Sequence, residues 1–468
     1  MARLLNQTKA QLGGFIVLFL PLGLWGMLWL GIAPGSIRDV FNPESFTQFL
    51  HGLRAAAPFV ALGVAALFML VQFPNRDSGK LFFFSPLALL ALYGLVGIAV
   101  SVRSPDTSLA LYWASLYLTV PLILWAAMWS PDSPLQIQRI IQFNWLIIGI
   151  GFLVLFVIGL ISLNLDQAIL KPSDLLRCQG VASWFEHTSG VLRSTGVGRF
   201  AAVTGIIALS LVWNGKIGVF WGVVFLASLA LLLSTGARGS MIPFAAAIPV
   251  VYWLTSGKKA KVGAAICIVF LVPILWSTGA AETFVRSCLL SETAPDQIEY
   301  LKLRTPPQEL SLRQEQTEPA NVQDAPSASG SYTASGRTQI WAAGWKFIEL
   351  SPVLGYGFHA DRLVLGTHMH NAVLHAMIQT GLLGTIPFVG AILWAWFLLI
   401  KTLRKIGGLD PMHKTAVIQA AGILVFLSFR SLPESTGAFF GIDWLLLSPL
   451  LLYLRLVNSA DATKDEGA

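Results

Sequence analysis

A polar stretch at residues 335–371, between two apolar parts of the chain, holds side chains that could do chemistry. Arg337 opens it, Trp341 and Trp345 follow at helical spacing, and His370-Asn371 closes it. A guanidinium group binds phosphate oxygens through paired hydrogen bonds, and a histidine exchanges a proton near neutral pH. This pattern predicts a site that binds an anion through Arg337 and moves a proton through His370.

Other charged and polar side chains lie at the ends of apolar stretches, where a charge is costly and therefore a candidate for function. We expect the following to bind substrate: Arg193, Arg199, Arg238, Arg430, Glu434 and Asn371. Arg238 lies in a short glycine-flanked turn. Because Ser or Asn would serve such a turn as well, the presence of Arg favours a functional role. Arg193 could instead snorkel to lipid headgroups, and Arg430 with Glu434 could form an i,i+4 pair. Several guanidinium groups in one place repel each other unless an anion lies between them, so an anionic ligand is expected.

The rest of the chain must position these groups, and its composition indicates that it does so within a membrane. Of its 468 residues, 55% are hydrophobic and only 12% are charged, and the mean hydropathy is +0.68. A soluble domain carries about a quarter charged residues, so the composition predicts an all-α polytopic membrane protein. A spanning helix needs about 20 apolar residues. We predict twelve spans, at residues 12–33, 55–73, 81–102, 109–129, 140–163, 196–213, 217–234, 240–256, 262–277, 378–400, 415–430 and 438–456.

Lysine and arginine resist translocation, so the basic loops orient the predicted helices. The cluster at 258–261 and the basic loop at 401–414 place both termini in the cytoplasm. The chain then divides into spans one to nine at 1–277, a large periplasmic loop at 278–377, spans ten to twelve at 378–457, and a cytoplasmic tail at 458–468. The net charge of +7 fits this topology and attraction to anionic lipids, and does not indicate nucleic-acid binding.

The second half of the large loop differs from the first. Residues 291–336 are rich in Glu, Gln, Pro, Ser and Thr and cannot form a core of their own. Residues 340–350 carry aromatic side chains at helical spacing and predict an amphipathic helix, with Trp341 and Trp345 as anchors at the membrane surface.

Histidine and cysteine side chains raise two further possibilities. His368 and His370 could supply half of a metal site, but the sequence shows no nearby Asp, Glu or Cys set that completes it, so no metal is expected. Cys178 and Cys288 both fall in outside loops, where an oxidising compartment would allow a disulfide between them. The chain lacks the glycine-rich phosphate loop of NTPases and the Ser-His-Asp elbow of hydrolases.

Taken together, the motifs resemble those of the O-antigen ligase and polymerase superfamily, over about residues 190–450. The motifs that carry the resemblance are Thr235-Gly236-Ala237-Arg238-Gly239-Ser240, Ser335-Gly336-Arg337, Trp341, Ser351-Pro352, Gly355-Tyr356-Gly357, His370-Asn371, Gly381-Leu382-Leu383-Gly384 and Pro433-Glu434-Ser435. The resemblance implies a GT-C-like helical fold and a metal-independent, inverting glycosyltransferase of the bacterial inner membrane, whose active site faces the periplasm.

The resemblance also implies substrates and residue roles. The donor would be a glycan on undecaprenyl pyrophosphate. The acceptor would be lipid A-core in a ligase, which we favour, or a second glycan-lipid in a polymerase; a further branch glycosylates pilins. Arg337 and Arg238, with Arg199, would hold the pyrophosphate, and His370 would accept the proton of the acceptor hydroxyl.

A secondary transporter is the main alternative from another class, because about twelve spans is also a transporter's number. Transporters commonly show paired halves, and this chain shows no internal repeat and gathers its charged groups at one edge. A non-catalytic assembly partner is a weaker third interpretation.

Overall fold

The computed structural model describes eight stretches of the chain. They are residues 19–32, 45–71, 76–129, 133–165, 194–212, 217–235, 237–256 and 337–465. Within these stretches the chain forms helices, turns and loops and no strand, so the all-α prediction is confirmed. The predicted span at 262–277, the loop up to residue 336, and both cysteines of the disulfide hypothesis lie outside the described residues.

The helices are numbered here in chain order. They are α1 (Phe19–Leu30), α2 (Phe46–Val71), α3 (Arg76–Phe83), α4 (Pro86–Val100), α5 (Thr107–Met128), α6 (Ser133–Leu165), α7 (Ser194–Leu211), α8 (Gly218–Ser234), α9 (Arg238–Thr255), α10 (Arg337–Leu350), α11 (Ala360–Leu365), α12 (Ala372–Arg404), α13 (Pro411–Arg430) and α14 (Ile442–Asp465).

Seven of the helices in the described stretches are long and apolar enough to cross a membrane: α2, α4, α5, α6, α12, α13 and α14. Three more, α1, α7 and α8, contain apolar helical segments of only 10–17 residues, at Phe19–Leu30, Thr195–Leu211 and Gly218–Leu233. A helix of about 17 residues rises about 25 Å, less than the roughly 30 Å of a hydrocarbon core. The protein is therefore a multi-pass membrane protein, but the predicted count of twelve spans is not confirmed.

Several helices extend beyond the predicted spans. α2 begins at Phe46 rather than at residue 55, and α12 begins at Ala372 rather than at residue 378. α14 continues to Asp465, into the segment predicted as a tail. Hydropathy marks the apolar centre of a helix, whereas backbone hydrogen bonds continue through polar turns at either end.

α14 lies at the centre of the bundle, in contact with α4, α5, α6, α12 and α13. The Trp444 ring stacks on Tyr117 of α5 with the ring centroids 4.5 Å apart. The Asn144 side chain of α6 donates to the Leu445 carbonyl at 2.9 Å. Together these contacts fix the first turn of α14, which carries Asp443.

α12 is interrupted at Gly381, whose φ of 57° and ψ of −161° are not helical. The loop after α10 fills the break. Four backbone hydrogen bonds join them: Tyr356 N–H to the Ile378 carbonyl (3.0 Å), Gly357 N–H to Gln379 (2.8 Å), Leu382 N–H to Pro352 (2.8 Å) and Leu383 N–H to Val353 (3.1 Å). They satisfy polar groups that a broken membrane helix would otherwise leave unpaired. A Cβ on Gly381 would overlap the Val353 backbone, and one on Gly355 (φ 63°) would lie 2.7 Å from the backbone of α12, so glycine is required at both positions.

Candidate functional site

A cavity of about 670 Å³ lies where α6, α7, α13 and α14 meet the start of α10 and the loops before α12 and after α13. Its ionisable lining residues are Arg199, Arg337, Arg362, His368, His370, Arg430, Glu434 and Asp443. Val154 and Leu155 of α6 and Phe200 of α7 form part of an apolar wall. The cavity can therefore take a ligand that has both a charged group and an apolar part.

Asp443, at the start of α14, joins two arginines. Its Oδ1 lies 3.1 Å from Nη1 of Arg199, and its Oδ2 lies 3.2 Å from Nε of Arg430. Nη1 of Arg430 also donates to the Gly239 carbonyl and to the Ser240 hydroxyl, both at 3.0 Å. A carboxylate thus already lies between two of the converging guanidinium groups, and it reduces the repulsion from which an anionic ligand was inferred.

Glu434, in the loop between α13 and α14, joins Arg337 to His370. Its Oε1 lies 3.3 Å from Nη2 of Arg337, and its Oε2 lies 3.5 Å from Nδ1 of His370. Burial alone would raise the pKa of Glu434, but the hydrogen bond with His370 and the charges of Arg430, His370 and Arg337 together hold that pKa below its ordinary value. The carboxylate is therefore ionised at neutral pH. Glu434 therefore pairs with Arg337 and His370 across the cavity. The sequence had suggested instead an ion pair with Arg430 along one helix.

His370 is held in an unusual backbone conformation. Its φ is 49°, which is uncommon for a residue other than glycine. The neighbours on both sides are fixed: Asn371 caps α12 by accepting from Leu374 N–H at 3.0 Å, and Nε1 of Trp341 donates to the Met369 carbonyl at 2.7 Å. Trp341 thus holds the loop that presents His370, a role that the expectation of a membrane-surface anchor did not include.

The structure gathers five of the predicted site residues around this one cavity: Arg199, Arg337, His370, Arg430 and Glu434. Arg238 begins α9 and is not among the described residues that line the cavity, although the two residues after it contact Arg430. Asn371 serves as a helix cap and donates to the Leu432 carbonyl at 3.1 Å. Arg193 lies outside the described residues.

Sequence reasoning missed three charged groups at or behind the cavity: Asp361, Arg362 and Asp443. Asp443 lies inside the predicted span 438–456, and a carboxylate within an apolar span is itself a signal of function or pairing. That signal could have found it. Asp361 and Arg362 lie in the large polar loop, where a charged residue carries no such signal.

Behind the cavity, a buried carboxylate meets two histidines. Asp361 and His375 are 0% and 1% exposed. Oδ2 of Asp361 lies 2.9 Å from Nδ1 of His375 and 3.3 Å from Nδ1 of His368. The three side chains bring one potential metal-binding atom each within 4.8 Å of one another. The sequence search, which considered His368 with His370, did not associate Asp361 with His368, because α11 brings Asp361 there from a separate part of the loop.

The surroundings set the charge of this cluster. Burial, together with the charge of Arg362, lowers the pKa of His359 to about 4. Burial also lowers the pKa of His368, against the opposing effect of Asp361. Burial alone would raise the pKa of Asp361, but His375 and His368 hold that pKa well below its usual range. At neutral pH, Asp361 is therefore a carboxylate, and His359 and His368 are uncharged.

The cavity can support acid–base chemistry next to an anion. Glu434 faces Nδ1 of His370, which leaves Nε2 of that ring as the proton acceptor. Arg337 and Arg199 supply planar donors that suit phosphate oxygens. An imidazole base and guanidinium groups in one cavity can deprotonate a hydroxyl and stabilise a departing anion.

Fold and cavity together define a multi-pass helical membrane protein with an arginine-lined cavity that also holds two histidines, His368 and His370. Residues 222–389 match the model of the family described as O-antigen ligase. This segment contains Arg337, His370 and the helix break at Gly381. The chain therefore carries an O-antigen ligase family domain, and the family resemblance inferred from the motifs is confirmed.

A second comparison gives a more distant relative. A segment of 112 residues is 30% identical to the exopolysaccharide production protein ExoQ of Rhizobium meliloti (strain 1021). The aligned part covers 20% of this chain and 25% of ExoQ. The chain thus matches about a quarter of the length of that relative.

Proposed function

We propose that the protein is an inner-membrane glycosyltransferase that moves a glycan from undecaprenyl pyrophosphate to an acceptor hydroxyl on the periplasmic side. The acceptor that we favour is lipid A-core, which makes the protein an O-antigen ligase of lipopolysaccharide biosynthesis. The observation that carries the proposal is the meeting of Arg337, Glu434 and His370 at one cavity beside the family domain.

The charge of the cavity supports a pyrophosphate ligand. Four arginines and two carboxylates line it, so two positive charges are in excess when the histidines are neutral. A pyrophosphate diester carries one negative charge on each phosphate and would balance them. The volume also falls within the roughly 300–1,000 Å³ of ordinary ligand sites.

The proposed reaction is a direct displacement. Nε2 of His370 accepts the proton of the acceptor hydroxyl while its oxygen attacks the anomeric carbon. The bond from that carbon to the pyrophosphate oxygen breaks, the electron pair leaves with the pyrophosphate, and the configuration inverts. Arg337 and Arg199 stabilise the leaving group. Arg238 remains a candidate for holding the donor, because the residues that follow it contact the cavity through Arg430.

We infer that the reaction needs no added metal. In the proposed site, guanidinium groups supply the positive charge that a divalent ion supplies in many other transferases. Activity in the presence of a chelator is the expected consequence.

Polymerisation is the second candidate. It is favoured by the similarity to a protein named for exopolysaccharide production. The two candidates share a donor and a mechanism and differ only in the acceptor, which is a second glycan-lipid in the polymerase.

The test uses purified protein and a defined undecaprenyl-pyrophosphate glycan. Lipid A-core and glycan-lipid acceptors are supplied in separate reactions with a chelator, and products are identified by mass spectrometry. A glycan joined to lipid A-core supports the ligase, and a lengthened glycan-lipid supports the polymerase. No transfer to either acceptor, together with uptake of the glycan-lipid into proteoliposomes, would replace both with a transporter.

A further inference from the structure

The loop between α13 and α14 carries Glu434 on a short turn. The Thr436 N–H donates to the Glu434 carbonyl at 2.8 Å. The Ala438 N–H donates to the Ser435 carbonyl at 3.3 Å. These bonds tie the backbone of Glu434 to the residues that follow it, so an anchor on the carbonyls of Gly437 and Ala438 also fixes where the Glu434 side chain lies.

Two buried tyrosine hydroxyls supply that anchor. The Tyr117 hydroxyl of α5 donates to the Gly437 carbonyl at 3.0 Å. The Tyr93 hydroxyl of α4 donates to the Ala438 carbonyl at 2.8 Å. Both tyrosines are 0% exposed, and a buried carbonyl without a donor is costly. Because a phenylalanine ring fills the same space, the hydroxyl is the part of each side chain that the loop requires.

Tyr93 also joins this loop to the break in α12. Its hydroxyl has one hydrogen, which the Ala438 carbonyl receives, so the hydroxyl oxygen accepts from the side-chain nitrogen of Gln379 at 2.7 Å. The Gln379 oxygen accepts from the His359 N–H at 3.1 Å. Three hydrogen bonds thus run in one direction, from the residue before α11, through the break in α12, to the loop that carries Glu434.

Aromatic neighbours hold the two tyrosines in place. The rings of Tyr93 and Tyr117 meet edge to face, with their centroids 5.4 Å apart. The Trp444 ring of α14 stacks on Tyr117, and its indole N–H donates to the Tyr117 carbonyl at 3.2 Å. The Phe388 ring of α12 packs against Tyr93 at 5.3 Å. The hydroxyls are therefore presented to the loop by packed helices, which suits groups that fix the geometry of a site.

We propose that Tyr93 and Tyr117 are positioning residues of the transfer reaction, because their hydroxyls hold the loop where Glu434 meets His370. This role rests on the proposed function, in which His370 is the base and Glu434 orients its ring. Oε2 of Glu434 lies 3.5 Å from Nδ1 of His370, so a loop shift of about 0.5 Å away from the ring would separate them. Neither tyrosine is among the described residues that line the cavity, so both act through Glu434.

Stability in acid tests the anchor without an assay of transfer. The charged and titratable groups that face Glu434 are Arg199 of α7, Arg337 of α10, His370 of the loop before α12 and Arg430 of α13. Against the effect of burial, the hydrogen bond with His370 and the charges of the partners hold the pKa of Glu434 below its ordinary value. The stability that this pair contributes is lost as the pH falls through the folded pKa.

We expect Tyr93→Phe and Tyr117→Phe to lose this contribution, because the loop shifts and Glu434 leaves its partners. Between about pH 5 and pH 3, their unfolding temperatures should fall no more than that of Glu434→Gln. Tyr112→Phe, also on α5, is the matched control: within the part of the chain that the structure describes, the Tyr112 hydroxyl has no hydrogen-bond partner. It should keep the steeper fall of the wild type. The same steep fall in both anchor variants would overturn the inference.

Turnover tests the positioning role in a double-mutant cycle. Each anchor variant should lower kcat roughly tenfold or more with little change in KM for the donor, since the arginines remain. In the Glu434→Gln background the group that the tyrosines position is already gone, so the same Phe change should lower kcat by less than about twofold. Losses that multiply in full would mean that the tyrosines support the fold in general, and the positioning role would be wrong.

The two measurements separate this inference from the proposed function. If one anchor variant does not fold, the other carries both tests. A wild-type protein that transfers no glycan to either acceptor would contradict the proposed function. If its acid-dependent fall in unfolding temperature still disappears in Tyr93→Phe or Tyr117→Phe, the anchor on Glu434 stands.

Discussion

Nδ1 of His370 lies 3.5 Å from Oε2 of Glu434, and the other oxygen of that carboxylate is held by Arg337 at 3.3 Å. A carboxylate that faces one nitrogen of a histidine fixes the ring's tautomer and leaves the other nitrogen as the base. One side chain thus connects the proposed base to the proposed anion-binding arginine. A pyrophosphate bound at Arg337 would compete with Glu434 for the guanidinium group. Glu434 would then interact with His370 alone.

Glu434→Gln should slow transfer without preventing donor binding. The amide keeps the size of the side chain but removes the charge that orients His370 and stabilises its protonated form. We expect turnover to fall by about 10²-fold, the size of a typical general-base contribution, with little change in KM for the donor. Steady-state kinetics measure both. Glu349→Gln, on the exposed face of α10, is the matched control and should behave like the wild type.

The stability of the protein should depend on Glu434 in acid. The pKa of Glu434 is lower in the folded protein than its ordinary value of about 4.3. A depressed carboxyl pKa contributes stability above the unfolded pKa and loses it as the pH falls through the folded pKa. The unfolding temperature of the wild type should therefore drop between about pH 5 and pH 3 by more than that of Glu434→Gln. Identical pH dependence in the two proteins would show that Glu434 is not held as a charged group.

Arg337→Lys should be nearly as damaging to transfer as Arg337→Ala. Lysine keeps the charge but cannot present two parallel N–H groups to phosphate oxygens. The measurement is transfer rate at saturating donor, with Arg404→Lys, an exposed position at the end of α12, as the control. Near wild-type rates in Arg337→Lys would mean that charge alone matters at this position.

Gly381→Ala should destabilise the protein by more than about 2 kcal/mol. The backbone at Gly381 has φ 57° and ψ −161°, a region open to glycine almost alone, and an added Cβ would overlap Val353. Gly149→Ala is the control, because that glycine lies inside α6 with nothing within 4 Å of an added Cβ. It should be neutral or stabilise by about 0.5–1 kcal/mol. Thermal unfolding in detergent compares them, and equal unfolding temperatures would show that the break in α12 adapts to a side chain.

The sequence predicted several of the groups that line the cavity because polar groups in a membrane protein are few, so Arg337, His370, Arg430 and Glu434 contrast with an apolar background. It could not tell which charges pair. Arg430 turned out to pair with Asp443, since pairing depends on how the ends of α13 and α14 approach each other, and spacing along one helix does not report this.

Two glycines also show that sequence patterns do not report how separate parts of the chain meet. Gly355 and Gly381 belong to motifs that carry the family resemblance, and the structure gives them a mechanical reason: they let a loop enter a broken helix. Seven helices among the described residues are long and apolar enough to cross a membrane, and the predicted count of twelve stays a prediction.

The most direct test of the central claim compares His370→Ala with the wild type in two assays: binding of undecaprenyl-pyrophosphate glycan and transfer of that glycan to an acceptor. We predict that His370→Ala inserts into the membrane, binds the donor through Arg337 and the other arginines, and transfers no measurable glycan. Wild-type turnover in His370→Ala would contradict the assignment of this cavity as the site of transfer.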